Sequence, residues 1–527
     1  MNRIESMRSL VKQPVFWVLS LALGIRLYAC LNTFIVNPDG VHYIHQARSI
    51  FYHQWNLLAT CHVKFISPLP LLIAGSFFIF RDWVAAGRFV SLFFSFATLI
   101  PFYFLLRRFF DKAITAMTLL VYALIPFFIS RSADVVRDPL FWFLICCGML
   151  VFIRHLDENA GKRAQLDLLV SCCLFMLATW TRMEGVAFLL GSGIYLLIHK
   201  SDDRLKRAVF FSLPGLLAFL VLVIGALFID RPLGTLLRID KIQAELTQFG
   251  GHYDVLRDQL KALSKLHPDF IGEFLKDIRT IVWMVPFALI FNTFIEAFFY
   301  PYALFFFLGL IGLRDKWVSN SHILYFVTLF ALSLVILYVH LLQTWLIYSR
   351  FLSILIFSSF IPMGYGIEKV LNLIKSRLKL KPLTAAISMA VFILAFGLGK
   401  SVRPIHEDKL PFRQAGEIIA SQKAPEATAR ILGVSSTVYE WVFFYAHRDY
   451  PGALCAKAQV NNIPRSYENL VLKMRAEGIR YLLYEENQWP KKGVDFMAAP
   501  FEQDFKILGQ WRHKDTGLLM LLELKNN

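Results

Sequence analysis

Apolar segments of about 20 residues recur along the first 400 residues and constrain the fold more than any other feature. Inside a bilayer every backbone N–H and C=O group must find a partner within the protein, so such segments cross as α-helices. Of the 527 residues, 57% are hydrophobic and only 18% are charged, and the mean hydropathy is +0.53. A soluble protein of this length carries more charge. The sequence therefore predicts an all-α polytopic membrane domain.

The positions of the basic residues predict the orientation of these helices. With about eleven spans, the N-terminus and every short Lys/Arg-rich loop fall on one side, which the positive-inside rule makes cytoplasmic. Two long loops, about 36–83 and 230–280, then lie on the other side. From Ser401 onward there are 17 Lys and Arg against 15 Asp and Glu, so most of the net charge of +17 belongs to the membrane part. This distribution indicates contact with a lipid bilayer and no nucleic-acid partner.

The character of the chain changes near residue 404. Short helical patterns (Phe412–Ala420 and Tyr467–Ala476) alternate with strand patterns (Arg430–Val434 and Ile479–Tyr484), and two late strands flank a turn at Asp515–Gly517. This alternation predicts a small extracytoplasmic α/β domain. The predicted division is a transmembrane domain over 1–403 and an α/β domain over 404–527.

Three clusters of polar residues stand at span ends on the predicted outer side. Charge and irregular backbone are tolerated at this depth where they line a wet cavity, so the three clusters are expected to meet in one cavity. They are Asp39 with Tyr43 and Arg48, then Arg137-Asp138-Pro139, and finally Thr181-Arg182-Met183-Glu184-Gly185.

Each cluster also has a purely structural interpretation. Pro38-Asp39-Gly40 is typical of a turn. Asp138 before Pro139 is typical of a helix start. Arg182 and Glu184 can pair with each other, and Arg350 can be an interfacial anchor. The residues alone leave both interpretations open.

The cysteines and histidines indicate no cofactor. The seven cysteines form no framework, although a Cys61–Cys455 disulfide is compatible with the predicted topology. His42, His45 and His53 are scattered through one loop without metal-ligand spacing. The sequence therefore predicts no cofactor and no metal site, and a divalent metal is not indicated.

The order of these motifs resembles the GT-C superfamily of integral-membrane glycosyltransferases. The similarity is to the bacterial branch that includes protein O-mannosyltransferases and aminoarabinose-type lipid A transferases, and it covers about residues 1–400. Two positions depart from the family pattern: Gly40 replaces a frequent second acidic residue, and Ser67-Pro68-Leu69-Pro70 replaces a frequent His-Pro-Pro. The motifs that carry the resemblance are Asp39–Arg48, Ser67–Pro70, Arg137–Phe141 and Thr181–Gly185.

The resemblance implies a GT-C-like fold in a bacterial inner membrane and an inverting transfer from a polyprenyl-phosphate sugar. The acceptor would be an extracytoplasmic glycolipid, polysaccharide or protein. A hydroxyl acceptor needs a general base, for which Asp39 is the candidate, with Asp138 as a second catalytic candidate. The phosphate leaving group needs cations rather than a general acid. The candidates for binding the donor phosphate or the substrates are Arg350, Arg137, Arg131, Lys64, Tyr43, Arg48, Arg182 and Glu184.

Two other functions fit a polytopic chain. A lipid or solute transporter or flippase is expected to show internal repeats with Gly/Pro-broken helices in matching halves, and the sequence shows neither. A non-catalytic membrane assembly subunit, with its α/β domain binding a partner, is the other alternative. Such a subunit should tolerate substitution of Asp39.

Overall fold

The computed structural model describes residues 13–58, 65–157, 162–199, 202–228, 251–267, 269–313, 320–455, 463–490 and 493–525. Helices make up most of these ranges. The helices before residue 402 are α1 (Pro14–Leu31), α2 (Pro38–Phe51), α3 (Pro68–Phe80), α4 (Trp83–Ala97), α5 (Leu99–Leu106), α6 (Lys112–Leu124), α7 (Pro126–Ala133), α8 (Asp138–Asp157), α9 (Lys162–Thr181), α10 (Val186–Ile198), α11 (Arg204–Phe228), α12 (Gly251–Leu266), α13 (Phe270–Ile281), α14 (Val285–Phe298), α15 (Tyr300–Leu313), α16 (Ser321–Thr344), α17 (Ser353–Arg377) and α18 (Pro382–Ser401).

The predicted polytopic helical architecture is confirmed. Within the described ranges, nine helical stretches are long and apolar enough to cross a membrane, or ten when α6 and α7 count as one bent span. The sequence predicts about eleven spans, and two of these correspond to the shorter apolar helices Met183–Ile198 and Tyr300–Leu313. The stretch Phe270–Phe298 also qualifies as a span, although the sequence assigns its first part to the 230–280 loop. Residues 229–250 of that loop lie outside the described ranges.

The third span that the sequence predicts, at about residues 113–130, is not one straight helix. The chain bends by 56° between α6 and α7. Ile125 between them is extended, with φ −65° and ψ 118°. A residue before proline is pushed toward this region, and Pro126 also lacks the N–H that would continue the helix.

Contacts within the chain divide it into two compact units. The helical unit comprises Met1–Ile25, Phe94–Ile129 and Asp138–Ser401, and the mixed unit comprises Arg26–Phe93, Ser130–Arg137 and Val402–Asn527. The C-terminal region therefore shares a unit with α2 and α3, which precede it by more than 300 residues. The domain boundary predicted near residue 404 stays a prediction.

A close helix crossing stabilises the helical unit. A Cβ atom added at Gly309 of α15 would collide with the carbonyl group of Pro362, and one added at Gly366 of α17 would collide with that of Phe305. The two backbones therefore pack directly against each other. Helices in membranes associate in this way because small residues permit close van der Waals packing.

The mixed unit contains a four-stranded sheet in the order β1-β2-β4-β3. The pair β1–β2 is parallel, and the pairs β2–β4 and β3–β4 are antiparallel. The predicted strand and helix patterns after residue 404 are confirmed, and two further helices, α20 and the short α22, were not predicted. The elements are α19 (Leu410–Ser421), β1 (Ile431–Gly433), α20 (Ser436–Ala446), α21 (Tyr467–Ala476), β2 (Tyr481–Glu485), α22 (Phe501–Asp504), β3 (Phe505–His513) and β4 (Gly517–Leu524).

Successive side chains of β2 point to opposite faces of this sheet. Leu482 and Tyr484 join a buried apolar cluster that includes Leu470 of α21 and Leu522 of β4. The face that carries Glu485 is the opposite one. The predicted turn Asp515–Gly517 connects β3 to β4, and Gly517 has φ +66°, a conformation that favours glycine.

Glu485 is an acidic residue at the end of a buried strand. Its side chain is fully buried, and the backbone N–H of Ser435 donates to its Oε1 at 3.2 Å. Its Oε2 is buried and has no hydrogen-bond partner among the described residues. Burial raises the pKa of Glu485 to about 7, and the Ser435 hydrogen bond offsets this only in part.

We expect Glu485→Gln to stabilise the protein near pH 8 and to have little effect near pH 4. The unfolded carboxyl ionises near its usual pKa of about 4.5 while the folded one stays protonated to about 7. The wild type therefore loses stability as the pH rises through this window, by about 3 kcal/mol at most, and the amide does not. The measurement is the difference in melting temperature between the two full-length proteins across pH 4–8. A difference that does not grow with pH would contradict the assignment.

Candidate active site

Asp39 lies in the first turn of α2, in the mixed unit. Asn37 before the helix is extended (φ −64°, ψ 156°), and Pro38 occupies the first helical turn, where its missing N–H has no cost. Pro38-Asp39-Gly40 therefore begins a helix and does not form the turn that the local sequence also allows. A carboxylate in this position is stabilised by the helix macrodipole. Asp39 is half-buried.

The start of α2 is fixed by the segment before Arg137. The backbone N–H of Val135 donates to Asn37 Oδ1 at 3.2 Å. A Cβ atom added at Gly40 would lie 2.6 Å from Asn37 Oδ1 and 2.9 Å from Val135 Cβ. The departure from the family pattern at Gly40 thus has a physical reason, because no side chain fits between α2 and Val135.

Arg137 lies against an aromatic pair in the same unit. Its guanidinium carbon is 5.3 Å from the centre of the Tyr43 ring and 5.8 Å from that of Phe65. Tyr43 follows Asp39 by four residues, so the two share one face of α2. Among the described residues Arg137 forms no ion pair, and its buried Nε–H has no hydrogen-bond partner. The arrangement combines a carboxylate and a cation along one helix face.

Arg48 has a structural set of contacts. It is buried and donates to the carbonyl oxygens of His447, at 3.2 Å, and of Tyr450. Nine residues separate it from Asp39, which places it on the opposite face of α2. Arg48 therefore joins two parts of the mixed unit, and these contacts do not support the substrate-binding role predicted for it.

Helix α20 also holds the beginning of α2. The indole Nε1–H of Trp441 donates to the carbonyl oxygen of Val36 at 2.7 Å, and the backbone N–H of Val36 donates to the Tyr445 hydroxyl at 2.9 Å. One turn into α2, His42 Nε2 lies 3.4 Å from Glu440 Oε2. The sequence did not predict these residues as part of the site. Their only local signal is a run of aromatic residues in a soluble segment.

The helical unit contains a second polar cluster around Arg182. Arg182 Nη1 donates to Asp138 Oδ1 at 2.8 Å, and its Nη2 and Nε donate to the two carboxylate oxygens of Glu184 at 2.5 and 3.3 Å. Arg182 and Asp138 are only 4% and 3% exposed. Asp138 begins α8, and Glu184 lies in the 3-10 turn Met183–Gly185 between α9 and α10. The Arg182–Glu184 pairing that the sequence allows is therefore present, and Asp138 orients the same arginine.

Arg350 and Arg182 both contact the aromatic ring of Phe351. The Phe351 ring centre lies 5.9 Å from the Arg182 guanidinium carbon and 5.4 Å from that of Arg350, which also lies over Tyr348.

Arg131 lies in the last turn of α7, in the mixed unit, and is half-buried. Lys64 is outside the described residues. The predicted meeting of the clusters in one cavity stays a prediction, as does catalysis by Asp138.

The described residues contain no group of three or more His, Cys, Asp or Glu side chains placed to hold a metal ion. Cys455 is disulfide-bonded, and Cys61, with which the sequence allows a bridge, lies outside the described ranges. Cys30, Cys146, Cys147, Cys172 and Cys173 are free thiols.

Comparison with known proteins identifies one matching family model and several similar structures. Residues 68–228 match the family model described as dolichyl-phosphate-mannose-protein mannosyltransferase. ArnT from Cupriavidus metallidurans in its apo state is similar in structure, with a TM-score of 0.58, 12% sequence identity, and coverage of 96% of this chain and 97% of ArnT. The Archaeoglobus fulgidus oligosaccharyltransferase in complex with Zn and sulfate gives a TM-score of 0.57 at 12% identity, covering 96% of this chain and 72% of that one. No curated protein sequence is significantly similar.

This chain has a GT-C-like fold, similar to that of ArnT. At 12% identity the structural likeness concerns the fold, and the sequence prediction of a GT-C-like architecture is thereby confirmed.

We expect Gly40→Ala to disturb the start of α2. The added methyl group has no free space beside Asn37 and Val135, and overpacking of this kind costs about 1–3 kcal/mol. Gly75→Ala in α3 is the matched control, because a Cβ atom there meets nothing within 4 Å and alanine favours a helix. Melting temperatures of the two full-length variants should differ by several degrees. Equal melting temperatures would show that the packing at Gly40 is not tight.

Asp138→Ala should destabilise the helical unit by about 3 kcal/mol, because it leaves the buried Arg182 charge with one carboxylate. The control is Glu273→Ala, which breaks the exposed pair with Lys276 and should cost less than about 1 kcal/mol. Thermal unfolding of both variants tests the difference. If Asp138→Ala is as stable as the control, the Arg182 cluster is not a structural ion-pair network.

Proposed function

We propose that this chain is an integral-membrane glycosyltransferase that moves a sugar from a polyprenyl-phosphate donor to an extracytoplasmic acceptor with inversion at the anomeric carbon. The observation that carries the proposal is that Asp39 and Tyr43 share one face of α2 and that the Arg137 guanidinium lies over the Tyr43 ring. The transfer needs both a base and a cation at the phosphate. The matched mannosyltransferase family model and the GT-C fold support the same reaction class.

Asp39 is the proposed general base. A sugar or protein hydroxyl is a poor nucleophile, so a carboxylate must accept its proton as its oxygen bonds to the anomeric carbon. At the same time the bond from this carbon to the phosphate oxygen breaks, and the phosphate leaves with the electron pair. Asp39 lies in the first turn of α2, at the end of the helix that carries the positive dipole charge.

Arg137 is the proposed partner of the donor phosphate. Its guanidinium has no carboxylate partner among the described residues and is held in place by the Tyr43 and Phe65 rings. Arginine binds phosphate through two parallel hydrogen bonds and stabilises the charge that develops on the leaving group. Arg182 suits this role less well, because two carboxylates already neutralise it. Arg131, Arg350 and Lys64 remain further candidates.

Two observations support a polyprenyl phosphate as the carrier of the donor sugar: a phosphate is a good leaving group, and a structural neighbour binds such a lipid. ArnT from Cupriavidus metallidurans has been solved with undecaprenyl phosphate bound. The acceptor we propose is a glycolipid, a polysaccharide or a protein, and the sugar is a hexose or a pentose. We place the enzyme in a bacterial inner membrane with a cytoplasmic N-terminus and a periplasmic C-terminal region, following the positive-inside distribution of charge. Because arginines stabilise the phosphate, we propose that no metal cofactor is required.

Sugar transfer in membranes tests the proposal. Wild type, Asp39→Asn, Arg137→Gln and the control Asp515→Asn, on the exposed β3–β4 turn, are expressed at matched levels with labelled polyprenyl-phosphate sugars. Loss of the base should lower kcat by about 10²–10⁴-fold. Arg137→Gln should also lower kcat/KM for the donor, and Asp515→Asn should resemble the wild type. Addition of EDTA should leave the wild-type rate unchanged.

The outcomes separate the glycosyltransferase from the two other functions. Equal transfer by wild type and Asp39→Asn would show that Asp39 is not the base. Absence of transfer from every donor in a panel of hexoses and pentoses would favour the transporter or the assembly subunit.

A further inference from the structure

A cavity of about 450 Å³ lies within the mixed unit. It is bounded by the end of α1, the junction of α3 and α4, and the helices α19 and α20. None of its lining residues belongs to α2, which carries Asp39. The cavity is therefore separate from the proposed transfer site.

Three arginines line this cavity. Arg413 pairs with Glu417 and also donates to a backbone carbonyl group, and Arg448 pairs with Asp82. Each guanidinium keeps N–H groups that have no partner among the described residues. Arg88 differs from both, since its one hydrogen bond in the described structure goes to the carbonyl oxygen of Thr33, at 2.8 Å. Among the described residues, its buried Nε–H has no hydrogen-bond partner and its guanidinium forms no ion pair with a carboxylate. The cavity thus contains a cation whose charge is not balanced by a direct partner.

Apart from Asp82, which pairs with Arg448, and from Cys30 and Tyr445, the remaining lining is apolar, and it is open to the outside of the molecule. Leu31 is 85% exposed and Leu27 43%, while Phe80 and Phe89 are also exposed. Leu27 and Leu31 end one candidate membrane span, and Phe89 lies near the start of another. Residues at span ends lie at the level of the lipid head groups, where arginine side chains meet phosphate.

We propose that this cavity binds the phosphate head group of an anionic membrane lipid. Arg88 makes the principal contact, Arg413 and Arg448 use their remaining N–H groups, and the acyl chains lie along Leu27, Leu31, Phe80 and Phe89. A guanidinium binds phosphate through charge-assisted hydrogen bonds, which are strong where the surroundings are apolar.

Such a lipid would also stabilise the approach to Asp39. Arg88 donates to the carbonyl oxygen of Thr33, and Arg413 donates to that of Phe34 at 3.0 Å. Both carbonyl groups belong to the short connection between α1 and α2. A phosphate that orders the two guanidinium groups therefore orders the segment from which the Asp39 helix begins.

Native mass spectrometry of the full-length protein in non-ionic detergent tests the site. Phosphatidylglycerol is titrated as the anionic lipid, diacylglycerol with the same chains serves as the lipid without phosphate, and inorganic phosphate serves as the free anion. The variants are Arg88→Gln, Arg88→Lys and the control Arg81→Gln, an exposed arginine outside the cavity at the end of α3. No sugar donor is present, so the result is independent of the proposed transfer reaction.

We expect wild type and Arg81→Gln to bind phosphatidylglycerol equally and Arg88→Gln to bind it about tenfold more weakly. Arg88→Lys, which keeps the charge but loses the bidentate geometry, should fall between them, and it alone carries the comparison if Arg88→Gln does not fold. Equal binding by Arg88→Lys and wild type, or binding of diacylglycerol as tight as that of phosphatidylglycerol, would overturn the proposal. Equally tight binding of inorganic phosphate would do so too, because the site would then recognise a free anion.

Discussion

The position of Asp39 depends on the close packing of Gly40 against Val135. This contact leaves no room for a side chain, and the hydrogen bond from the Val135 N–H to Asn37 fixes the residue just before the helix. Val135 belongs to the short segment that ends at Arg137, so the same contact that places the carboxylate also brings the guanidinium next to Tyr43. Protein interiors are densely packed, so a shift of the α2 backbone at Gly40 would also move the backbone at Val135.

The two polar clusters differ in how their charges are balanced. Arg182 is nearly fully buried between two carboxylates, and removing a charge from water to this extent is tolerated only when partners compensate it. Arg137 is half-buried and rests on aromatic rings, without a carboxylate among the described residues. A cation held by aromatic contacts retains its N–H donors for a ligand. Arg182, in contrast, already donates its N–H groups to Asp138 and Glu184. This difference favours Arg137 as the phosphate contact.

The C-terminal region contacts the start of α2 through helix α20. Its Trp441 and Tyr445 bind both backbone groups of Val36, and Glu440 faces His42. The cavity arginines Arg88 and Arg413 hold the neighbouring carbonyl groups of Thr33 and Phe34, so the whole connection from α1 to α2 is fixed by side chains from several elements.

The sequence by itself determined the helical membrane architecture and the α/β pattern of the C-terminal region, and it predicted Asp39 as the candidate base. These features follow from local rules, since apolar length, the period of the side chains and a Pro-Asp pair at a helix start are all visible along the chain. The bend at Ile125 was equally local, because Pro126 signals it, but the apolar run around it predicted a continuous span. Only the tertiary structure decided that Arg48 links backbone carbonyl groups, that Asp138 pairs with Arg182, and that α20 holds Val36. Each of these depends on contacts between residues 44 to about 400 positions apart, and no pattern within a single segment specifies which partner a buried charge or backbone group will find.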